Sequence, residues 1–294
     1  MAEILVTGGA GNMGRTLAQA LRSQGHALRI LDLPSCDFGF FDGWDSVRIF
    51  AGDILDGSFV REAVRGAEWV YHLAAVLPPA SEADRGRTFR VNVEGTRSLA
   101  AAIAGSGSGG AVPKLIFASS VSVYGDTSAS RELITPGHPA RPNDLYAESK
   151  VEAERVLADS GIPFVNLRIS AVVIPAFLDP PEPWPFMPGQ RIELVPLSDL
   201  VTALARLPET GLTSLGRTFI LAGGPLWQMT GETYVRRWAE IMDIPMREMR
   251  FLDRPGWLNW YDTRDSQALL DYQKTPPEQF FADLAKAVAE AMEA

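Results

Sequence analysis

Residues 7–14 read "TGGAGNMG" and close the apolar run "EILVT" of residues 3–7. Gly8, Gly11 and Gly14 keep a three-residue spacing, while Gly9, Gly11 and Gly14 also satisfy G-x-G-x-x-G. Small residues let the chain turn sharply and let its backbone approach a pyrophosphate. A helix starting near Asn12 then offers unpaired N–H groups and the positive end of its dipole to that charge. A glycine triplet alone is weak evidence. Here it follows a predicted strand and opens a predicted helix, which is the context the chemistry requires. Gly8, Gly11, Asn12, Met13 and Gly14 are therefore candidates for holding a dinucleotide.

Outward from this loop, apolar runs bounded by turn residues alternate with helical patterns. "EILVTG", "ALRILDL", "VRIFAGDI", "WVYHLAA", "KLIFASS", "PFVNLRI" and "RTFILAGG" read as strands. "MGRTLAQALRSQG", "GSFVREAVRGA", "FRVNVEGTRSLAAAIAG", "NDLYAESKVEAERVL" and "LSDLVTALARL" read as helices. This rhythm predicts an α/β fold with a doubly wound parallel sheet. "GSGSGG" (105–110) reads as a flexible surface loop, and the Pro-rich 174–189 as a loop without regular structure. The expected division is a nucleotide-binding core over 1–173, completed by about 195–224. A small substrate lobe over 174–194 and 225–294 accompanies it. Asp32 ends the second strand about 20 residues past the glycines, where a carboxylate accepts from ribose hydroxyls and repels a 2′-phosphate. "LPSC" after it supplies no cation, so NAD rather than NADP is expected.

The chain has 294 residues and a formal charge of −9, which argues against nucleic-acid or anionic-membrane partners. The single Cys36 excludes an intramolecular disulfide. No stretch approaches about 20 apolar residues, so no membrane span is expected. The start lacks the features of a signal peptide, and a cytoplasmic location is expected. The three His and one Cys are scattered, so no metal site is expected.

Residues 143–157 carry an unusual pair. Glu148, Glu152, Glu154 and Arg155 form a wet face, with Val151, Val156 and Leu157 opposite. Tyr146 and Lys150 stand one turn apart and stack a phenol over an ammonium.

Together these features resemble the extended short-chain dehydrogenase/reductase family, which contains NAD-dependent epimerases and dehydratases. The resemblance rests on "TGGAGNMG", Asp32, "GDI" (52–54), "HLAA" (72–75), "NVEGT" (92–96), "FASSVSVYG" (117–125) and the Tyr146–Lys150 pair. It covers most of the first 175 residues and implies a Rossmann fold. It places Asp53 and Ile54 against the adenine, Ala74 and Ala75 under the cofactor, and Asn92 on a cofactor-side helix. For Asn92, an amide satisfied by backbone is an equal alternative. His72 reads as a packed strand residue. The resemblance makes Tyr146 the proton-transferring group, its pKa lowered by Lys150 and by the nicotinamide ring. Lys150 would also bind the nicotinamide ribose. Ser120, with Ser119 as its rival, would hold the reacting oxygen. It further implies a homodimer through the helices bearing Asn92 and Tyr146.

Departures from the family narrow the chemistry. Dehydratases carry Thr-Asp-Glu where this chain has Ser120-Val121-Ser122, so dehydration is disfavoured. A hydride-transfer enzyme acting on a sugar or another small secondary alcohol is expected, with a sugar-nucleotide epimerase as the alternative. A dinucleotide-sensing binding protein is the alternative of another class. "VIPAF" (173–177) replaces the usual Tyr-Gly-Pro and places Pro175 at the nicotinamide edge. The lobe is short, with Arg191, Arg217, Arg236, Arg237 and Arg264 as its possible phosphate ligands. Trp184, Phe186, Trp227 and Trp257 are expected to wall a compact apolar pocket.

Overall fold

A computed structural model describes residues 1–109, 111–211 and 213–293. Its strands are β1 (Glu3–Thr7), β2 (Ala27–Asp32), β3 (Val47–Ala51), β4 (Trp69–His72), β5 (Lys114–Ser120), β6 (Phe164–Ile169), β7 (Val172–Val173), β8 (Arg191–Glu193), β9 (Val195–Pro196), β10 (Thr218–Leu221) and β11 (Gln228–Thr230). Its helices are α1 (Asn12–Ser23), α2 (Gly57–Val64), α3 (Ala80–Ala83), α4 (Arg85–Phe89), α5 (Gly95–Gly105), α6 (Leu145–Asp159), α7 (Leu197–Arg206), α8 (Gly231–Ile241), α9 (Arg264–Leu270) and α10 (Pro277–Glu293).

The main sheet has the order β10-β6-β5-β4-β1-β2-β3, with β1 parallel to both β2 and β4. The strand order reverses direction at β1. In a doubly wound sheet the crevice for a ligand opens there, beyond the carboxyl ends of the strands. The β-branched and aliphatic runs of these strands are buried on both faces. Leu5, Leu31, Val70, Leu115 and Phe117 pack with Val60 and Val64 of α2, Leu99 and Ile103 of α5, and Leu157 of α6. Each such side chain contributes roughly 1.5–3 kcal/mol on burial.

The expected long helix over 89–105 is divided. A π turn over Arg90–Glu94 separates α4 from α5. The wide turn contains the buried Asn92, whose amide is drawn to main chain outside the helix. Such bulges occur where a helix must turn a side chain out of its regular path. Residues 106–109 form a 3₁₀ turn, and Gly110, the end of the expected 105–110 loop, lies outside the described residues. The strands β8 and β11 pair antiparallel, although only three residues each, too short for a period-2 pattern to be legible in sequence.

The chain divides into two compact units. The first comprises Met1–Val123, Pro142–Arg168 and Leu204–Phe219; the second comprises Tyr124–Arg141, Ile169–Ala203 and Ile220–Ala294. Residues 124–141 were expected in the core, but they belong to the second unit. The Ile134 N–H donates to the Trp260 carbonyl, the Asp262 N–H donates to the Ile134 carbonyl, and Asn259 donates to the Thr127 carbonyl. These partners lie more than a hundred positions away in sequence, so local patterning could not reveal them.

The second unit is held by aromatic packing. Trp184 meets Phe186 and Trp238, and Trp227 meets Phe280, at 5.3–5.9 Å between ring centroids. Trp184, Phe186 and Trp227 are buried core side chains, so the apolar pocket wall expected of them is not what they form; Trp257 is half-buried. Glu193, fully buried, accepts from the N–H groups of Gly224 and Tyr261 and from the Gln228 amide, tying together three segments.

Candidate active site

The glycine loop follows β1. Gly8 has φ +69°, and a Cβ there would lie 2.7 Å from the Ala74 nitrogen, in the segment after β4. At Gly14 a Cβ would lie 2.5 Å from the Gly8 carbonyl oxygen and 2.6 Å from Gly9 Cα. These two positions require glycine for backbone conformation and close approach. Gly11 and Asn12 are exposed, and Met13 is half-buried. Helix α1 begins at Asn12 with no side-chain cap and no acidic residue in its first turn. Its first amides and dipole are thus left to an external anion.

The Asp32 carboxylate, at the end of β2, is bonded to that loop. Oδ2 accepts from the Ala10 N–H at 3.0 Å, and Oδ1 from the Leu33 N–H at 2.9 Å. Asp53 is exposed and closes a local turn by accepting from Leu55 N–H. Ile54 is a core residue, packed against Gly95, where a Cβ would come within 2.8 Å of it. Ala74 and Ala75 are half-buried after β4.

A directional hydrogen-bond chain fixes that segment. The Thr96 hydroxyl donates to the Asn92 carbonyl and therefore accepts from His72 Nε2. His72 Nδ1 in turn accepts from the Thr7 hydroxyl at 2.8 Å, whose oxygen takes the Ala74 N–H. Burial, with the Lys150 charge second, lowers the His72 pKa to about 3, so it is a neutral packing residue. Thr7 is a structural residue the sequence reading missed; its polar side chain at the end of an apolar strand was the available signal.

Asn92 resolves in favour of the backbone-satisfied alternative. Its Oδ1 accepts from the Val76 N–H, and its Nδ2 donates to the Val76 carbonyl and to Ser149 Oγ. With both amide protons used inside the protein, it holds residue 76 in place.

Helix α6 carries Tyr146 and Lys150. Its N-terminus is doubly capped: Asp144 accepts from the Ala147 N–H, and Glu82 accepts from both Leu145 and Tyr146 N–H. Glu82 gave no sequence signal, since it lies over sixty residues upstream. The Lys150 ammonium is buried. It donates to the Ala118 carbonyl of β5 at 2.7 Å and lies 5.7 Å from the Tyr146 ring centroid and 4.9 Å from that of Phe117. Burial lowers its pKa to about 8, against a smaller opposing effect of Glu154. The expected lowering of the Tyr146 pKa is reversed in the protein alone. Burial, then the Asp144 charge, raises it.

Glu154, expected on the wet face, is instead paired with Arg168 of β6 at 2.7 Å and accepts from Ser119 Oγ. Ser119 is thereby engaged on that face of β5. Ser120, on the other by strand alternation, accepts from the Ser122 N–H at 3.1 Å. Pro175 belongs to the second unit, half-buried after β7.

Of the lobe cations, Arg236, Arg237 and Arg264 pair with Glu232, Glu278 and Asp262. Arg217, in the first unit, lies over Phe219. No described helix is long and apolar enough to cross a membrane, and the described residues contain no group of three or more His, Cys, Asp or Glu side chains placed to hold a metal.

A glycine loop at the reversal point of a parallel sheet, with a carboxylate closing the second strand, defines a dinucleotide-binding enzyme fold. The sequence profile of the NAD dependent epimerase/dehydratase family matches residues 4–183, and the chain belongs to that family. Its cofactor is NAD. The bare helix end, the close-packed glycines and Asp32 fit that dinucleotide.

A 3 beta-hydroxysteroid dehydrogenase/Delta 5-->4-isomerase of Mycobacterium tuberculosis is 37% identical over 171 residues, 55% of this chain and 44% of that protein. A D-erythronate dehydrogenase of Cupriavidus necator is 32% identical over 179 residues, 57% and 53% of the two chains. The matches thus span about half the length of these relatives. A UDP-glucuronic acid 4-epimerase structure from Bacillus cereus, with NAD, has TM-score 0.79 at 20% identity, covering 98% and 99% of the chains. A short-chain dehydrogenase/reductase superfamily structure from Agrobacterium tumefaciens, with bound NAD, has TM-score 0.79 at 23% identity, covering 99% and 98%. These two show the likeness of fold.

Proposed function

We propose that this protein is an NAD-dependent oxidoreductase acting at a secondary alcohol of a sugar, a sugar derivative or another small hydroxy compound. When bound, NAD supplies the hydride acceptor and NADH the donor. Tyr146 moves the hydroxyl proton. Its raised pKa keeps it protonated at neutral pH in the protein alone, the form that donates to a ketone oxygen. The positive charge of Lys150 beneath the ring favours the opposite form when oxidation demands a base. Ser120, whose oxygen accepts from Ser122, keeps its own O–H to donate to the reacting oxygen.

Gly8, Gly11, Asn12, Met13 and Gly14 hold the pyrophosphate, and Asp32 the adenosine ribose. Asp53 and Ile54 border the adenine, Ala74 and Ala75 the nicotinamide side, and Lys150 its ribose. Asn92 acts through Val76 as a positioning residue. Val121 and Ser122 give a dehydration no acid or base.

The observation that carries this reading is the buried Lys150 ammonium, which has no carboxylate within ion-pair distance among the described residues. Such a charge is costly to the fold, and a protein that only sensed a dinucleotide would have no use for it beneath a phenol. The test is Tyr146→Phe, assayed by NAD reduction with sugars, sugar acids and secondary alcohols. Turnover should fall roughly 10²–10⁴-fold with NAD affinity nearly unchanged, and near wild-type turnover would overturn the assignment. Interconversion of UDP-, GDP- or dTDP-sugars, without turnover of the alcohols, would instead make the protein an epimerase.

A further inference from the structure

The second unit contains a cavity of about 480 Å³, a size suited to a small molecule. It is lined by Arg131, Arg191, Ser128, Ser130, Gln190 and Asn259, with glycine and apolar side chains completing the wall. Among the described residues, no Asp or Glu lines it. Neither arginine has a carboxylate within ion-pair distance among the described residues, whereas Arg236, Arg237 and Arg264 of the same unit are all paired. In a chain of net charge −9, two uncompensated guanidinium groups on one cavity are a local exception.

The walls are fixed by the amides. Gln190 accepts from Met187 and Gly256 N–H and donates to the Gly256 and Leu258 carbonyls. Asn259 donates to Thr127 and accepts from Trp260 N–H. With the amides spent on the scaffold and the Ser130 hydroxyl donating to the Glu132 carbonyl, the guanidinium groups and the Ser128 hydroxyl remain for a ligand. Arg191 is oriented by its own bond to the Arg131 carbonyl at 2.8 Å and by the Trp260 ring, 4.4 Å from Cζ. It is thus pre-set for the forked recognition of a planar or tetrahedral anion.

We infer that this cavity is an anion site that takes the carboxylate or phosphate end of a small hydroxylated molecule. Every group involved belongs to the second unit, so the site stands or falls independently of the hydride-transfer reading. The protein, saturated with NAD to occupy the phosphate loop, is titrated calorimetrically at fixed low ionic strength. The probes are inorganic phosphate, a hexose 6-phosphate, the aldonate of the same hexose, and the uncharged hexose.

At least one anion should bind roughly tenfold or more tightly than the uncharged hexose. Phosphate probes outbinding the aldonate identify a phosphoester, and the reverse order identifies a carboxylate. Arg131→Gln or Arg191→Gln should weaken the preferred anion roughly tenfold to a hundredfold without changing NAD affinity. Arg131 is exposed with no bonded partner for its side chain among the described residues, so its variant decides the matter even if Arg191→Gln does not fold. Absence of anion binding, equal affinity for the uncharged hexose, or full anion affinity in every variant that folds would overturn the site.

Discussion

Replacing Lys150 by Met should leave the fold at least as stable at pH 7 while removing the group that would support Tyr146. The reason is the cost of the buried ammonium. One pKa unit is worth about 1.36 kcal/mol, so a fall from 10.5 to about 8 makes the buried charge about 3 kcal/mol costlier than the neutral amine. Methionine removes that cost but leaves the Ala118 carbonyl without its charged donor, at about 1–3 kcal/mol. The net change runs from about zero to a gain of about 2 kcal/mol. The pH dependence is more diagnostic. The folded pKa lies below the unfolded one, so the Lys150 contribution is fully present above the unfolded value and lost as pH falls to the folded value. Between pH 7 and 10 the wild type should therefore gain about 2 kcal/mol relative to Lys150→Met. Urea unfolding of both proteins without NAD at the two pH values measures this difference. A difference that does not change with pH, or one that moves against the wild type, would refute the reasoning.

Three further outcomes are expected. Asp32→Ala should narrow the preference for NAD over NADP, read by fluorescence titration of both cofactors, and should weaken binding of each because Ala10 and Leu33 N–H lose their acceptor. Asn92→Ala should cost about 2–4 kcal/mol in urea unfolding, since the buried Val76 N–H and carbonyl both lose their partner. Glu193, pushed up to about 7 by burial against three N–H donors, has its stabilising effect in full below its unfolded value near 4.5. That effect is lost as pH rises through 7, so stability should fall by up to about 3 kcal/mol from pH 5 to 8. Glu193→Gln should flatten this dependence and lower stability at pH 5, because its amide N–H must face a donor.

What was legible in the sequence was local. The glycine spacing, the strand before it and the helix after it lie within one stretch, and Asp32 follows at a spacing set by the βαβ geometry. Tyr146 and Lys150 are one helical turn apart, so a single helix fixes their stacking. The unexpected features depend on distant partners. Asn92 is satisfied 16 and 57 positions away, Glu82 caps a helix 63 positions on, and the arginine cavity gathers residues from 128–131, 187–191 and 255–259. The same contrast runs through the curated relatives, whose matches cover 55% and 57% of the chain. The family profile ends at residue 183, before most of the second unit.

Glu154 shows why pairing rules read from sequence can point the wrong way. Lys150 and Glu154 stand at i and i+4, the spacing at which a helix forms ion pairs, and that pairing would neutralise the ammonium. The structure gives Glu154 to Arg168 instead, through two guanidinium bonds of 3.0 and 2.7 Å, with Ser119 as a third donor. A forked guanidinium matches a carboxylate better than an ammonium does, so Arg168 outcompetes Lys150 for it. The consequence reaches the site. With Glu154 held on Arg168, Lys150 is oriented by the neutral Ala118 carbonyl, and its positive charge lies beneath the phenol with no ion-pair partner among the described residues. The same competition accounts for Ser119, whose hydroxyl is drawn to Glu154 while Ser120, one residue on, keeps its proton for a substrate oxygen.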